Sequence, residues 1–168
     1  LLVPVTSDAA TLTLTPTHDA KIVAGANANT NYGSANLATG QGCPAWCDGH
    51  NETLLKFDLG DYDLSATTSA VLRIFVYNRG TWNTTGTLYA HFVSDDVWAD
   101  STVTWNTAPG PDYTEPHGNA IDSTGPAPSD SVWMEFDVTS EVIVQSAGDG
   151  EISVRLVPDG TYQHYALF

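Results

Sequence analysis

Three of the chain's five cationic side chains lie inside runs that alternate apolar and polar residues. Successive strand residues point to opposite faces, so each run sorts its side chains into two sets. In residues 70–77, Leu72, Ile74 and Val76 share one face, and Arg73, Phe75 and Tyr77 share the other. Lys56 alternates against Leu55 and Phe57, and Arg155 alternates against Ile152, Val154 and Leu156. All three cations therefore project opposite the apolar face. If their strands share a sheet, they make a basic floor flanked by aromatic rings, which Tyr89 and His91 would extend. Such a floor could pair the carboxylates of uronic acid units. The alternative, which the acidic surplus favours, is that each cation pairs with a nearby Asp or Glu.

A neutral glycan would be held instead by aromatic platforms. Trp46, Trp82 and Trp98 are available, and Trp46 and Trp82 lie in loop-like sequence. Trp105 and Trp133 read as strand residues belonging to the core. The plainer alternative is a structural role for all five tryptophans. Calcium wants several oxygen ligands held in a turn. Asp19 and the loop 27–33, with Asn31, offer such a set, which Asp58 or Asp137 would approach across the fold. Asp61 with Asp63, and Asp95 with Asp96, are alternative clusters, and an Asn- and Gly-rich loop is otherwise simply a turn. One structural Ca2+ is the expectation. Catalysis has little support: the nucleophile-elbow, zinc-protease and phosphate-loop patterns are absent, and spacing singles out no carboxylate pair. The chain reads as a non-enzyme.

These side chains need elements to hold them. At 168 residues the chain reads as one domain, long enough to bury roughly two-thirds of its unfolded surface. Five Lys and Arg stand against twenty Asp and Glu, a net charge of −15. That balance excludes nucleic acid as a partner and disfavours anionic membranes. No apolar run reaches membrane-spanning length, so no membrane insertion is expected. The opening Leu1-Leu2-Val3-Pro4-Val5 is too short for a signal peptide, so the chain reads as mature or excised. Cys43 and Cys47 enclose Pro-Ala-Trp and lack two further ligands at zinc spacing, which favours a local disulfide over free thiols. Asn51-Glu-Thr and Asn83-Thr-Thr satisfy the glycosylation sequon. Cysteines and sequons share one reading, a secreted or cell-surface protein.

Strand-type runs recur at residues 11–15, 54–59, 70–77, 87–93, 132–138, 151–157 and 162–168, separated by Gly, Pro, Asn and Asp. Residues 139–147 read as a helical turn or two, with Thr139 or Ser140 as N-cap and Gly148 beyond the end. Residues 94–109 set Trp98 and Trp105 seven apart around an acidic turn and close on Asn-Thr-Ala-Pro, a strand-and-corner device. Many short strands with such punctuation predict an all-β antiparallel sandwich with one short helix.

Four motifs in order carry a resemblance. They are His18-Asp19-Ala20 with Asn29-Thr-Asn31-Tyr32-Gly33-Ser34; Leu55-Lys56-Phe57-Asp58-Leu59 with Ser69-Ala70-Val-Leu72-Arg73; the Trp98 to Pro109 segment; and Phe136-Asp137-Val138-Thr139 leading to Gly148. Together they resemble the DNRLRE-domain family, which includes the family 96 carbohydrate-binding modules. The resemblance implies a jelly-roll-like sandwich from the extracellular world, appended to polysaccharide-degrading enzymes or surface proteins. Some members bind acidic glycans such as alginate. It also raises the expectation of calcium. Asp100 stands where the family more often has Glu, and the insertion 40–50 is longer than usual.

The family continues past residues 162–168 into a further turn and apolar strand, which this chain lacks. An N-terminal extension, residues 1–10, precedes the sandwich domain at 11–168. Its apolar residues 1–6 are suited to fill the vacant position, within the chain or in another copy. The leading expectation is a non-catalytic extracellular module that binds polysaccharide. The alternative is a self-assembling subunit of a fibre linked by strand donation through residues 1–6.

Overall fold

Alternation gives each strand an apolar face, and that face must be buried against a second layer. A computed structural model describes residues 10–40, 50–78, 86–110, 119–125 and 127–159, together with the backbone of 164–167. Among these described residues nine strands form: β1 (His18–Val23), β2 (Leu37–Gly40), β3 (Asn51–Asp58), β4 (Val71–Asn78), β5 (Thr87–Val93), β6 (Asp122–Thr124), β7 (Val132–Asp137), β8 (Glu151–Asp159) and β9 (His164–Leu167). One helix, α1 (Thr139–Ser146), separates β7 from β8.

Every pairing is antiparallel. The front layer runs β1-β3-β8-β5-β6 and the back layer β2-β9-β4-β7. They meet at one corner, where Gly40 of β2 pairs with Asn51 of β3. At the opposite corner Asp122 Oδ2 of β6 accepts the backbone N–H of Asp137 in β7 at 2.7 Å. The chain is an all-β sandwich, as its alternation predicts.

The core between the layers takes Leu55 from β3, Leu72, Ile74 and Val76 from β4, Leu88 and Ala90 from β5, Met134 and Phe136 from β7, and Ile152, Val154 and Leu156 from β8. Each set repeats at intervals of two, so burial on one face is dictated by sequence. Helix α1 plugs one end with Val142. Val138, not Thr139 or Ser140, takes the N-cap position and its side chain makes no capping bond, while Asp137 Oδ1 accepts both the N–H and the hydroxyl of Thr139. Gly148 follows the helix as expected and donates to the Gln145 carbonyl at 3.0 Å.

Two expectations fail here. Residues 11–15 alternate yet form no strand; among the described residues no strand pairs with them, and alternation alone does not supply a partner. The ladder starts after Pro16, with Thr17 N–H donating to the Lys56 carbonyl at 2.8 Å. Residues 94–109 form turns and irregular backbone instead of a strand and corner. Residues 1–6, on which strand donation rests, lie outside the described residues.

Candidate functional site

The outward face of β3 and β8 was the expected basic floor. Lys56 and Arg155 do project from it, but residues 94–110 lie across it and bury them to 6% and 7% exposure. Trp98, Val103 and, partly buried, Trp105 pack there against Ala20, Ile22, Leu54 and Val93 to make a second apolar cluster. Lys56 Nζ donates to the carbonyls of Asp96 at 2.7 Å and Trp98 at 3.0 Å, and stands 5.4 Å from the Trp98 ring centroid. Arg155 Nε donates to Glu52, its NH1 donates to the Pro109 carbonyl at 2.8 Å, and its guanidinium lies 5.3 Å from the Trp105 ring centroid. His91 is fully buried on the same face, stacked beside Tyr89. Lys56, Arg155 and His91 are therefore not open to a glycan. They hold a flap in place.

The flap is fastened from several sides. Trp98 Nε1 donates to Ser153 Oγ at 3.0 Å. Asn31 Nδ2 donates to the carbonyls of Asp100 and Val103, both at 2.7 Å. A Cβ on Gly33 would stand 1.8 Å from the Asp100 carbonyl oxygen, so only glycine lets the two backbones meet there. Glu52 is the buried anion of the arrangement, with His50 Nε2 2.5 Å from its Oε1. Burial pushes the Glu52 carboxyl up, but the His50 hydrogen bond and the charges of Arg155 and His50 outweigh it and hold the group below its ordinary value. The motif of Trp, acid and Thr-Trp-Asn is thus a packing device.

The expected metal ligands do not converge. Asp19 pairs with Leu55 across the β1–β3 ladder, while Asp58 stands three residues further along β3, about 10 Å away at ~3.4 Å per residue. Asp58 Oδ1 accepts the Gly60 N–H at 2.8 Å, and Asn31 Oδ1 accepts the Gly33 N–H at 3.4 Å while its Nδ2 donates to the flap carbonyls. Asp19 lies near Asp100 and His18; burial, then the Asp100 charge, raise its pKa against the lowering effect of His18. Among the described residues no group of three His, Cys, Asp or Glu is placed to hold a metal ion.

Arg73 belongs to the other layer, where the outward face of β4 and β7 is open. Register pairs Arg73 with Glu135, Phe75 with Trp133 and Val71 with Asp137. Trp133 is 54% exposed and Tyr77 50%, and Phe75 is partly buried between them. Arg73 Nε is 2.9 Å from Glu135 Oε1, and its guanidinium lies 4.7 Å from the Trp133 ring centroid. The Phe75 and Trp133 centroids are 5.1 Å apart with planes tilted at 58°. The result is an aromatic strip with a guanidinium and a carboxylate at one end, which can stack on sugar rings and hydrogen-bond their hydroxyls.

Sequence reasoning expected Arg73 and Tyr77 as binding residues, and both lie on this face. It assigned Trp133 to the core and passed over Phe75 as a ligand contact. The missed signal was the register of β7: Trp133, Glu135 and Asp137 share a face, and two acids on one face demand solvent. Trp46, Trp82, Cys43, Cys47 and Asn83 lie outside the described residues. Asn51 does not suit the glycosylation expected of it. It is 4% exposed, paired with Val23 on β1 and Gly40 on β2, and a glycan needs a solvent-facing amide.

Among the described residues no helix is long and apolar enough to cross a membrane. The family model for carbohydrate-binding module family 96 matches residues 10–168, and the chain belongs to that family. No curated protein matches the chain.

Proposed function

We propose that this member of carbohydrate-binding module family 96 is a non-catalytic, secreted module that binds polysaccharide on the open face of β4 and β7. One observation supports this reading above the others: Trp133 stands 54% exposed near the start of β7, beside Phe75 and Tyr77 of β4. Large aromatic surface left open on a flat sheet is characteristic of an interaction site. Arg73 and Glu135 brace the indole, so little ordering accompanies binding.

The contribution of Trp133 follows from its exposure. A buried aromatic covers up to ~250 Å², so 54% exposure leaves roughly 130 Å² open. A sugar ring covering about half of that removes ~65 Å² from water, worth ~1.6 kcal/mol at ~25 cal/mol per Å². Trp133→Ala should therefore weaken glycan affinity about 15-fold, read by affinity electrophoresis or titration calorimetry. Truncation also removes the buried remainder of the ring, roughly 115 Å² or up to ~3 kcal/mol at ~25 cal/mol per Å². The melting temperature should therefore fall by up to about 6–12 °C while the chain stays folded at the assay temperature. Unchanged affinity in a folded Trp133→Ala protein would exclude this face as the binding site.

A further inference from the structure

We infer that Arg73 and Glu135 form a clamp for a vicinal diol, so that a bound sugar unit turns the edge carrying two adjacent hydroxyls toward them. The inference rests on the β4–β7 face being the binding site. Register sets Arg73 opposite Glu135 and Phe75 opposite Trp133. Positions two apart on a strand share a face, so these are successive outward rungs, about 7 Å apart at ~3.4 Å per residue. The Phe75 and Trp133 ring centroids, 5.1 Å apart, give a pyranose ring a surface to stack on. A ring stacked there brings one edge beside the Arg73–Glu135 rung.

Arg73 Nε is 2.9 Å from Glu135 Oε1, and the two side chains are 54% and 57% exposed. A guanidinium carries several N–H donors and a carboxylate more than one acceptor site, more than this contact spends. The guanidinium also lies 4.7 Å from the Trp133 ring centroid, so the pair is held in position before a sugar arrives. Asp137, another acid on this face, has its Oδ1 committed to the N–H and hydroxyl of Thr139. Among the described residues Glu135 is therefore the acid placed to accept beside the stacked ring. A donor that cannot accept and an acceptor that cannot donate thus stand side by side. Two adjacent hydroxyls match them: one donates to Glu135 while its neighbour accepts from Arg73. A carboxylate or sulfate only accepts, and would set its charge beside Glu135. Neutral and uronate rings alike carry the diol across the ring from the C5 substituent, so a bound uronate holds its carboxylate away from Glu135.

The test is affinity electrophoresis on alginate and deacetylated glucomannan, each before and after O-acetylation, and on alginate converted to its propylene-glycol ester. Acetylation caps the adjacent hydroxyls and keeps the carboxylate; esterification does the reverse. The wild-type chain, Glu135→Gln and Trp133→Ala are run together, and melting curves show whether each variant is folded. The expected result is retention by at least one unmodified polymer, weakened about tenfold or more by acetylation and by Glu135→Gln, the worth of one bond to a charged group. If alginate is retained, its ester should be retained as well. Retention that survives acetylation, or alginate retention that strengthens in Glu135→Gln or is lost on esterification, would overturn the clamp while leaving the site in place. Retention unchanged in the folded Trp133→Ala protein would overturn the site, and the clamp with it. Retention by neither unmodified polymer would also overturn the inference.

Discussion

If Arg155 is a fastening for the flap and not a ligand contact, removing its counter-ion should unfold the chain more easily without touching the glycan face. Glu52→Gln leaves the Arg155 guanidinium at 7% exposure with no carboxylate beside it. Breaking a buried pair from one side costs about 3–5 kcal/mol, because an uncompensated charge stays in the interior. For a domain of this length ~1 kcal/mol shifts Tm by about 2–4 °C, so the expected fall is roughly 6–20 °C. Replacing both partners, Glu52→Leu with Arg155→Met, removes the stranded charge and should recover most of the loss. The remainder should be about 1 kcal/mol, from the Pro109 carbonyl losing its donor. Thermal and urea unfolding of Glu52→Leu, Arg155→Met and the double variant give the coupling energy. Strictly additive losses, or a Glu52→Gln cost under ~1 kcal/mol, would refute the clamp. Glycan affinity that falls in the folded Arg155→Met protein would return Arg155 to the binding site.

Four other outcomes follow from the same geometry. The Glu52 pKa is lower folded than unfolded, so its contribution to stability is complete above the ordinary glutamate range. Tm should fall with acidification below that range, and Glu52→Gln should flatten this part of the profile. Asp96 has the opposite sign: burial, with the charges of Asp149 and Asp95, raises its pKa against the Ser153 hydrogen bond and Lys56. Its ionisation therefore opposes folding as pH rises, and Asp96→Asn should hold or raise Tm at neutral pH; a marked fall would contradict that sign. Gly33→Ala should destabilise by at least ~1–3 kcal/mol in urea unfolding, since its Cβ would meet the Asp100 carbonyl at 1.8 Å. Chelation should leave Tm unchanged, because Asp19 and Asp58 stand about 10 Å apart along the β1–β3 ladder, and a drop of several degrees would restore the expectation of a metal.

Periodicity alone was enough for the fold class and for the inner faces of β3, β4 and β8, because a strand's alternation records which side is buried. It was also enough to put Arg73, Phe75 and Tyr77 on one side of their strand, and the same rule, applied to Glu135 and Asp137, would have exposed Trp133. What alternation cannot record is whether the second face of a sheet meets water or another part of the chain. Lys56, Arg155 and Arg73 look alike as strand cations. Long-range packing separates them: residues 94–110 fold over β3 and β8, desolvating the first two, and leave β4 and β7 open. That choice depends on contacts between residues some forty or more positions apart, such as Lys56 with Asp96 and Arg155 with Pro109. Local pattern determined each strand's two faces; only the tertiary structure decided which outer face became core and which was left for a ligand, because burial is a property of what packs above a residue and not of its neighbours in sequence.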